Sequence, residues 1–277
     1  MRLSVGDWEA VVAPDLGGTI LSLTHRGSDI LRPTPAGAVD PLATGCFPLL
    51  PYANRIAFGT FEWEGQTHHL PRNYPGQSHP LHGIGWLVPW QVMAVQDASV
   101  SIAMHHAEGA AWPWRFRAEQ HFTLDDTGLT VELAILNEDD AAMPVSLGFH
   151  PYFAKSPGDS LGFAANGMWL ADAEILPSEH VPADRLGDWS NAATLVRPDL
   201  IDNCYTGWSG PAVIARDDGD IALTAEGTPA LHVYVPPGED FFCAEPVTAM
   251  PDAVNHDCAE TLAPGARTRI SMHIGTG

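Results

Sequence analysis

The chain is poor in cationic side chains, with 13 Lys and Arg against 34 Asp and Glu and a formal net charge of −21. Such a field repels a phosphate backbone or an anionic membrane surface, so neither nucleic acid nor a membrane is an expected partner. Charged residues of both signs make up only 17% of the chain, which argues against a coiled or disordered sequence. Cysteine is scarce: Cys46, Cys204, Cys243 and Cys258 form no Cys-x-x-Cys pair, which fits reduced thiols rather than a disulfide framework. No apolar run is long enough to span a bilayer, and Met1 to Asp7 lacks the apolar core of a signal peptide. A soluble, cytoplasmic protein is therefore expected. A sustained helical period with caps is also missing, which disfavours βαβ units and a parallel sheet.

What is present favours strands and turns. The sequence holds 26 Gly and 24 Pro against 45% hydrophobic residues, the balance of a turn-rich globule. Period-two alternation is clearest from Trp114 to Leu136, where Asp125-Asp126-Thr127-Gly128 separates two arms of a hairpin. An opening hairpin is predicted around Pro14-Asp15-Leu16-Gly17-Gly18. Further strands are expected at Val100 to Met104, Val213 to Ala215, Ile221 to Thr224, Leu231 to Val235, Phe241 to Ala244 and Arg267 to Ile274. Leu161 to Pro198 reads as loops and short strands. With no linker, repeat or low-complexity tract, residues 1–277 are expected to form a single, mostly antiparallel all-β domain, a size that one β unit can reach.

The stretch Leu147-Gly148-Phe149-His150-Pro151-Tyr152-Phe153 stands out. If Pro144 to Phe149 is extended, Val145, Leu147 and Phe149 share one face, and Ser146, Gly148 and His150 the other. Small residues beside a histidine suit a ligand wall, although a core histidine bonded to a backbone carbonyl fits equally well. Glu245 ends the apolar run Phe241-Phe242-Cys243-Ala244 and shares a face with Cys243, and Pro246 is expected to stop the ladder. A carboxylate there must be paired, hydrogen-bonded or functional. Asp202, in Asp202-Asn203-Cys204-Tyr205, is explained most simply by an Asx turn. The 13 histidines include the neighbours His79 and His82, His68 and His69, and His105 and His106, but none has metal-site spacing or a cysteine cluster behind it, so no metal is expected.

Taken in order, the local signatures resemble those of the aldose 1-epimerase (mutarotase) family. They are Pro14 to Gly18, Asn54-Arg55, Leu81-His82-Gly83 with Trp90 beyond, Gly148 to Phe153, Asp202 to Tyr205, and Glu245-Pro246 followed by Pro251-Asp252-Ala253-Val254-Asn255. Each is short, but together they span nearly the full chain. The resemblance implies a large antiparallel β-supersandwich of the galactose mutarotase-like kind, with an open sugar-binding cleft on one face. It also implies His150 as general acid, Glu245 as general base, His82, Arg55 and Asp202 as contacts to sugar hydroxyls, and Asn54 as a support for Arg55. Trp86 and Tyr234 are added as apolar walls on aromatic type alone, and Gly148 is expected to be small so that the sugar can approach.

The implied activity interconverts the α and β anomers of a free aldose, which is the expected small-molecule partner. It requires an acid for the ring oxygen and a base for the anomeric hydroxyl, and no cofactor. Two departures place the chain on a divergent, bacterial-type branch: Glu245-Pro246-Val247 where galactose mutarotases tend to have Glu-Thr-Gln, and Gly83-Ile84 where they tend to have Gly-Gly. A related branch acts on hexose 6-phosphates. Gly83 to Pro89 carries no basic residue, so a neutral sugar is expected. A non-catalytic carbohydrate-binding sandwich and a carboxylate-dependent hydrolase or lyase are the competing readings.

Overall fold

Apolar alternation becomes strand throughout the chain, and no α-helix forms: the helical segments are five 3₁₀ turns of three or four residues. A computed structural model describes residues 1–277. The strands build two large antiparallel sheets of eleven and nine strands and two small two-stranded ones. The hydrogen-bonding order of the larger sheet is Arg2–Val5, Trp8–Ala13, Thr19–His25, Cys46–Leu49, Gly148–Ala154, Phe241–Val247, Ala230–Val235, Ile201–Thr206, Gly167–Ala171 and Pro177–Pro182, with Ser28–Asp29 appended to Thr19–His25. The second large sheet contains the predicted long hairpin, Phe116–Asp125 paired with Gly128–Asn137. Its turn is closed by Asp125, whose Oδ1 accepts from the Thr127 and Gly128 amides. The predicted opening hairpin is Trp8–Ala13 paired with Thr19–His25.

The faces of the larger sheet have different jobs. Along Gly148–Ala154, Phe149 and Phe153 enter the main core, whereas Tyr152 belongs to a separate cluster of 10 buried residues that includes Phe47, Trp86, Cys204 and Cys243. Along Phe241–Val247 the same split sends Phe242 and Ala244 to the main core, and Cys243 and Val247 to the smaller cluster. This division is the strand period at work: alternate side chains leave opposite faces. The smaller cluster is the floor on which the polar residues described below stand.

Three local expectations are corrected. Pro144 to Phe149 is not one strand: Met143–Val145 pairs with Glu260–Leu262 in a small sheet of its own, and a new strand starts at Gly148. The split of faces nevertheless holds, since Val145, Leu147 and Phe149 are all in the main core. Pro246 does not end its strand, which continues to Val247 and pairs with both Gly148 and Ala230. Gly148 is small because of packing. A Cβ there would lie 2.8 Å from Val247 Cγ1, 3.0 Å from Leu49 Cδ1 and 3.0 Å from the Pro246 carbonyl oxygen. Gly148→Ala is therefore expected to cost about 1–3 kcal/mol of stability by overpacking. Urea unfolding would show this as a lower midpoint at unchanged slope, and an unchanged midpoint would refute it.

Candidate active site

The site forms where a ladder lapses. Gly148–Ala154 and Phe241–Val247 pair at Gly148 with Val247 and again from Tyr152 with Cys243, in one register, leaving the residues between unpaired. Each strand carries a proline in that gap, Pro151 and Pro246, and a proline has no N–H to donate. The shared register sets His150 opposite Glu245. Their side chains meet there, His150 Nε2 lying 3.4 Å from Glu245 Oε1. Both are buried, at 7% and 2% exposure.

Aromatic rings fix the His150 imidazole. Tyr152 stacks on it with centroids 4.6 Å apart and planes 13° apart. Phe47, its cross-strand partner, packs on it at 4.6 Å, and His82 meets it edge-on at 5.0 Å. Phe47 in turn stacks on Trp86 at 5.0 Å. Trp86 is fully buried, so it supports the site from beneath and offers no wall to a sugar, contrary to the reading from aromatic type. Tyr234 is half-buried on the rim beside Phe241.

His82 and Asn54 come from loops and hold each other. Both have left-handed backbones, with φ of 57° and 61°, a conformation that persists only when neighbours enforce it. The His82 amide donates to the Asn54 carbonyl at 2.7 Å, and the Asn54 amide donates to His82 Nδ1 at 3.2 Å. An accepting Nδ1 places the ring proton on Nε2, leaving that nitrogen as a donor. Gly83 follows with φ +69° and no room for a Cβ, which would sit 2.0 Å from the Leu50 carbonyl oxygen. Arg55 Nη1 donates to Asn54 Oδ1 at 3.0 Å.

Asp202 lies within the Ile201–Thr206 strand and not in an Asx turn. Its Oδ1 bonds to Nε2 of His232 at 2.7 Å. His232 is a buried residue of Ala230–Val235 that sequence reasoning missed. Its signal was present, since His232 and Tyr234 interrupt the apolar run of Leu231, Val233 and Val235 at period two. Phe47, Tyr152 and Cys243 were also missed, because an aromatic residue or a cysteine on an apolar strand reads as core.

Burial dominates the electrostatics. It drives His150 down to about 3, with the His232 charge next in effect. It drives Glu245 up to about 8, against the opposing pull of His232 and with a push from Asp202. Burial, helped by His150 and Arg55, also keeps His82 well below the usual imidazole range, so it is neutral. His232 goes the other way: burial opposes its charge, but the bond to Asp202, the Cys204 thiol and Glu245 together push it up to about 10. Both shifts run toward the uncharged forms, a protonated carboxyl beside a neutral imidazole. Desolvation favours the neutral pair, since an ion pair costs more in a buried site.

One group of possible metal donors exists: ligand atoms of His150, Cys243 and Glu245 lie within 4.8 Å of one another. Burial and the nearby Glu245 hold the Cys243 thiol well above its ordinary range, which disfavours the thiolate that a metal needs. The paired histidines singled out in the sequence are dispersed: His79 Nδ1 accepts from the Phe58 amide, and His68 stacks on Phe61. Two surface cavities of about 510 and 560 Å³ lie away from this pair.

Two large antiparallel sheets in an almost wholly β chain give the protein a galactose mutarotase-like fold. The chain belongs to the aldose 1-epimerase family, whose sequence profile matches residues 2–275. It is 33% identical over 278 residues to the Escherichia coli protein YphB, covering 94% of this chain and 93% of that one; YphB is uncharacterized. Its fold matches the crystal structure of a candidate aldose 1-epimerase from Escherichia coli K12 with a TM-score of 0.91 at 30% identity, over 100% of this chain and 98% of that one. A galactose mutarotase-like protein from Clostridium acetobutylicum shares the fold with a TM-score of 0.87 at 21% identity, over 100% and 94% of the two chains. No helix is long and apolar enough to cross a membrane.

Proposed function

We propose that the protein interconverts the α and β anomers of a free, uncharged aldose by opening and reclosing the ring. The observation that carries this reading is the 3.4 Å approach of His150 Nε2 to Glu245 Oε1 beside Arg55, His82 and Asp202. Transfer of the Glu245 proton across that gap makes His150 an imidazolium and Glu245 a carboxylate. The imidazolium protonates the ring oxygen while the carboxylate takes the proton of the anomeric hydroxyl, and the bond from C1 to the ring oxygen breaks. After rotation about C1–C2, the two groups reverse their roles: Glu245 returns a proton to the carbonyl oxygen as His150 removes one from the attacking hydroxyl. The donors Arg55 and His82 and the acceptor Asp202 hold the sugar hydroxyls.

The neutral-sugar preference rests on the lack of basic residues from Gly83 to Pro89. Arg32 spends Nη2 on the Leu42 and Thr44 carbonyls, at 2.6 and 3.0 Å, and lies over the Tyr152 and Phe241 rings. Polarimetry of freshly dissolved α-glucose and α-galactose tests the reading, and NMR exchange extends it to other neutral and phosphorylated aldoses. Faster equilibration of a neutral aldose is expected. No acceleration across the whole panel would refute the proposal.

A further inference from the structure

His232 has no part in the proton steps just described, yet its placement is specific. In sheet register it lies directly beside Glu245 on one side and Cys204 on the other, so the three side chains leave the same face. Its Nε2 is held by Asp202 at 2.7 Å, while Nδ1 lies buried by the Cys204 thiol without a hydrogen bond of normal geometry. Glu245 Oε2 is likewise buried and unpartnered. A structural histidine would be expected to satisfy both ring nitrogens. This one is anchored by Asp202 at Nε2 and has no partner at Nδ1, and it sits in register beside Glu245, whose Oε2 is also unpartnered.

We propose that His232, fixed by Asp202, is a positioning residue for the His150 and Glu245 pair, and that its buried positive charge sets the pH window in which those two share a single proton. The inference rests on the proposed epimerase reading for its catalytic consequence. The charged and titratable groups around Glu245 are His150 and Tyr152 on one flanking strand with Cys46 on the strand beyond, His232 on the other with Asp202 and Cys204 one strand further, Cys243 on its own strand, and Arg55, His82 and Arg32 from the loops. Of these, His232 exerts the largest charge effect on Glu245 and also the largest on His150. The cation favours ionised Glu245 and disfavours protonated His150. Removing it therefore makes both groups hold their protons to higher pH, and the window moves upward as a whole.

His232→Gln keeps a donor toward Asp202 and removes the charge. Both limbs of its pH–kcat profile are expected to move up by about one unit, with KM at the optimum changed less than about threefold, as for a residue acting through its neighbour. A lower kcat with unshifted limbs would reduce His232 to a structural role and overturn the proposal. A second readout needs no activity: the ¹³C carboxyl resonance of Glu245 should titrate at higher pH in His232→Gln than in the wild type, and an equal midpoint overturns the inference. If the wild type epimerises no aldose, the functional reading falls while this titration still decides the role of His232. Should the variant not fold, ¹⁵N-histidine NMR of the wild type decides the case. His232 is expected to be doubly protonated at pH 7 to 8, and a neutral ring there excludes the proposal.

Discussion

Glu245→Gln lowers kcat by about 10²- to 10⁴-fold with the fold intact, the contribution expected of a positioned acid or base. The amide matches the carboxyl in shape but can neither release nor accept the proton that the reaction moves. The same substitution has an opposite effect on stability, and its sign follows from linkage. Burial raises the folded Glu245 from its ordinary 4.5 to about 8. Between those values the folded protein keeps a proton that the unfolded chain releases, so stability falls as pH rises through that interval. Glutamine removes the group and with it this loss. The variant is thus expected to be slower yet relatively more stable at pH 8 than at pH 5 when compared with the wild type. Stopped polarimetry and urea unfolding at the two pH values measure both effects. Near-normal turnover in Glu245→Gln would remove Glu245 from the chemistry.

Period-two alternation carried most of the fold in the sequence, because each strand of the larger sheet must send one set of side chains to a core. The same rule placed His150 opposite Phe149 and Glu245 beside Cys243. What alternation could not supply was pairing between strands distant in sequence. His150 meets Glu245 because Gly148 pairs with Val247, a relation 99 residues long in the chain. Asp202 looked like a turn residue because its partner, His232, lies 30 residues away. Pro246 looked like a strand end because a missing N–H normally terminates a ladder. Here Pro151 stands in the facing strand, and the two prolines open a gap inside a continuing sheet. Trp86 looked like a sugar platform because aromatic type does not report depth. The charge state of the site was also hidden, since the preference for a proton on Glu245 comes from desolvation by residues gathered from five strands and two loops.

His150→Asn is expected to lower kcat by about 10²-fold or more, and the double variant with Glu245→Gln is expected to be scarcely slower than the worse single one. The reason is the shared proton. Epimerisation needs one group to give a proton while another takes one, and in the proposed mechanism His150 and Glu245, 3.4 Å apart, share a single mobile proton. Removing either leaves no concerted exchange, so removing the second has little left to abolish. Two residues contributing separately, for instance by each polarising a different hydroxyl, would instead give losses that multiply. Asparagine also loses the stacking on Tyr152 and Phe47, so a thermal melt must accompany the kinetics. A moderate fall in melting temperature with binding of the sugar retained would leave the rate loss attributable to proton transfer. Multiplicative losses in the double variant would refute a joint role, and near-normal turnover in His150→Asn would exclude the imidazole from the reaction.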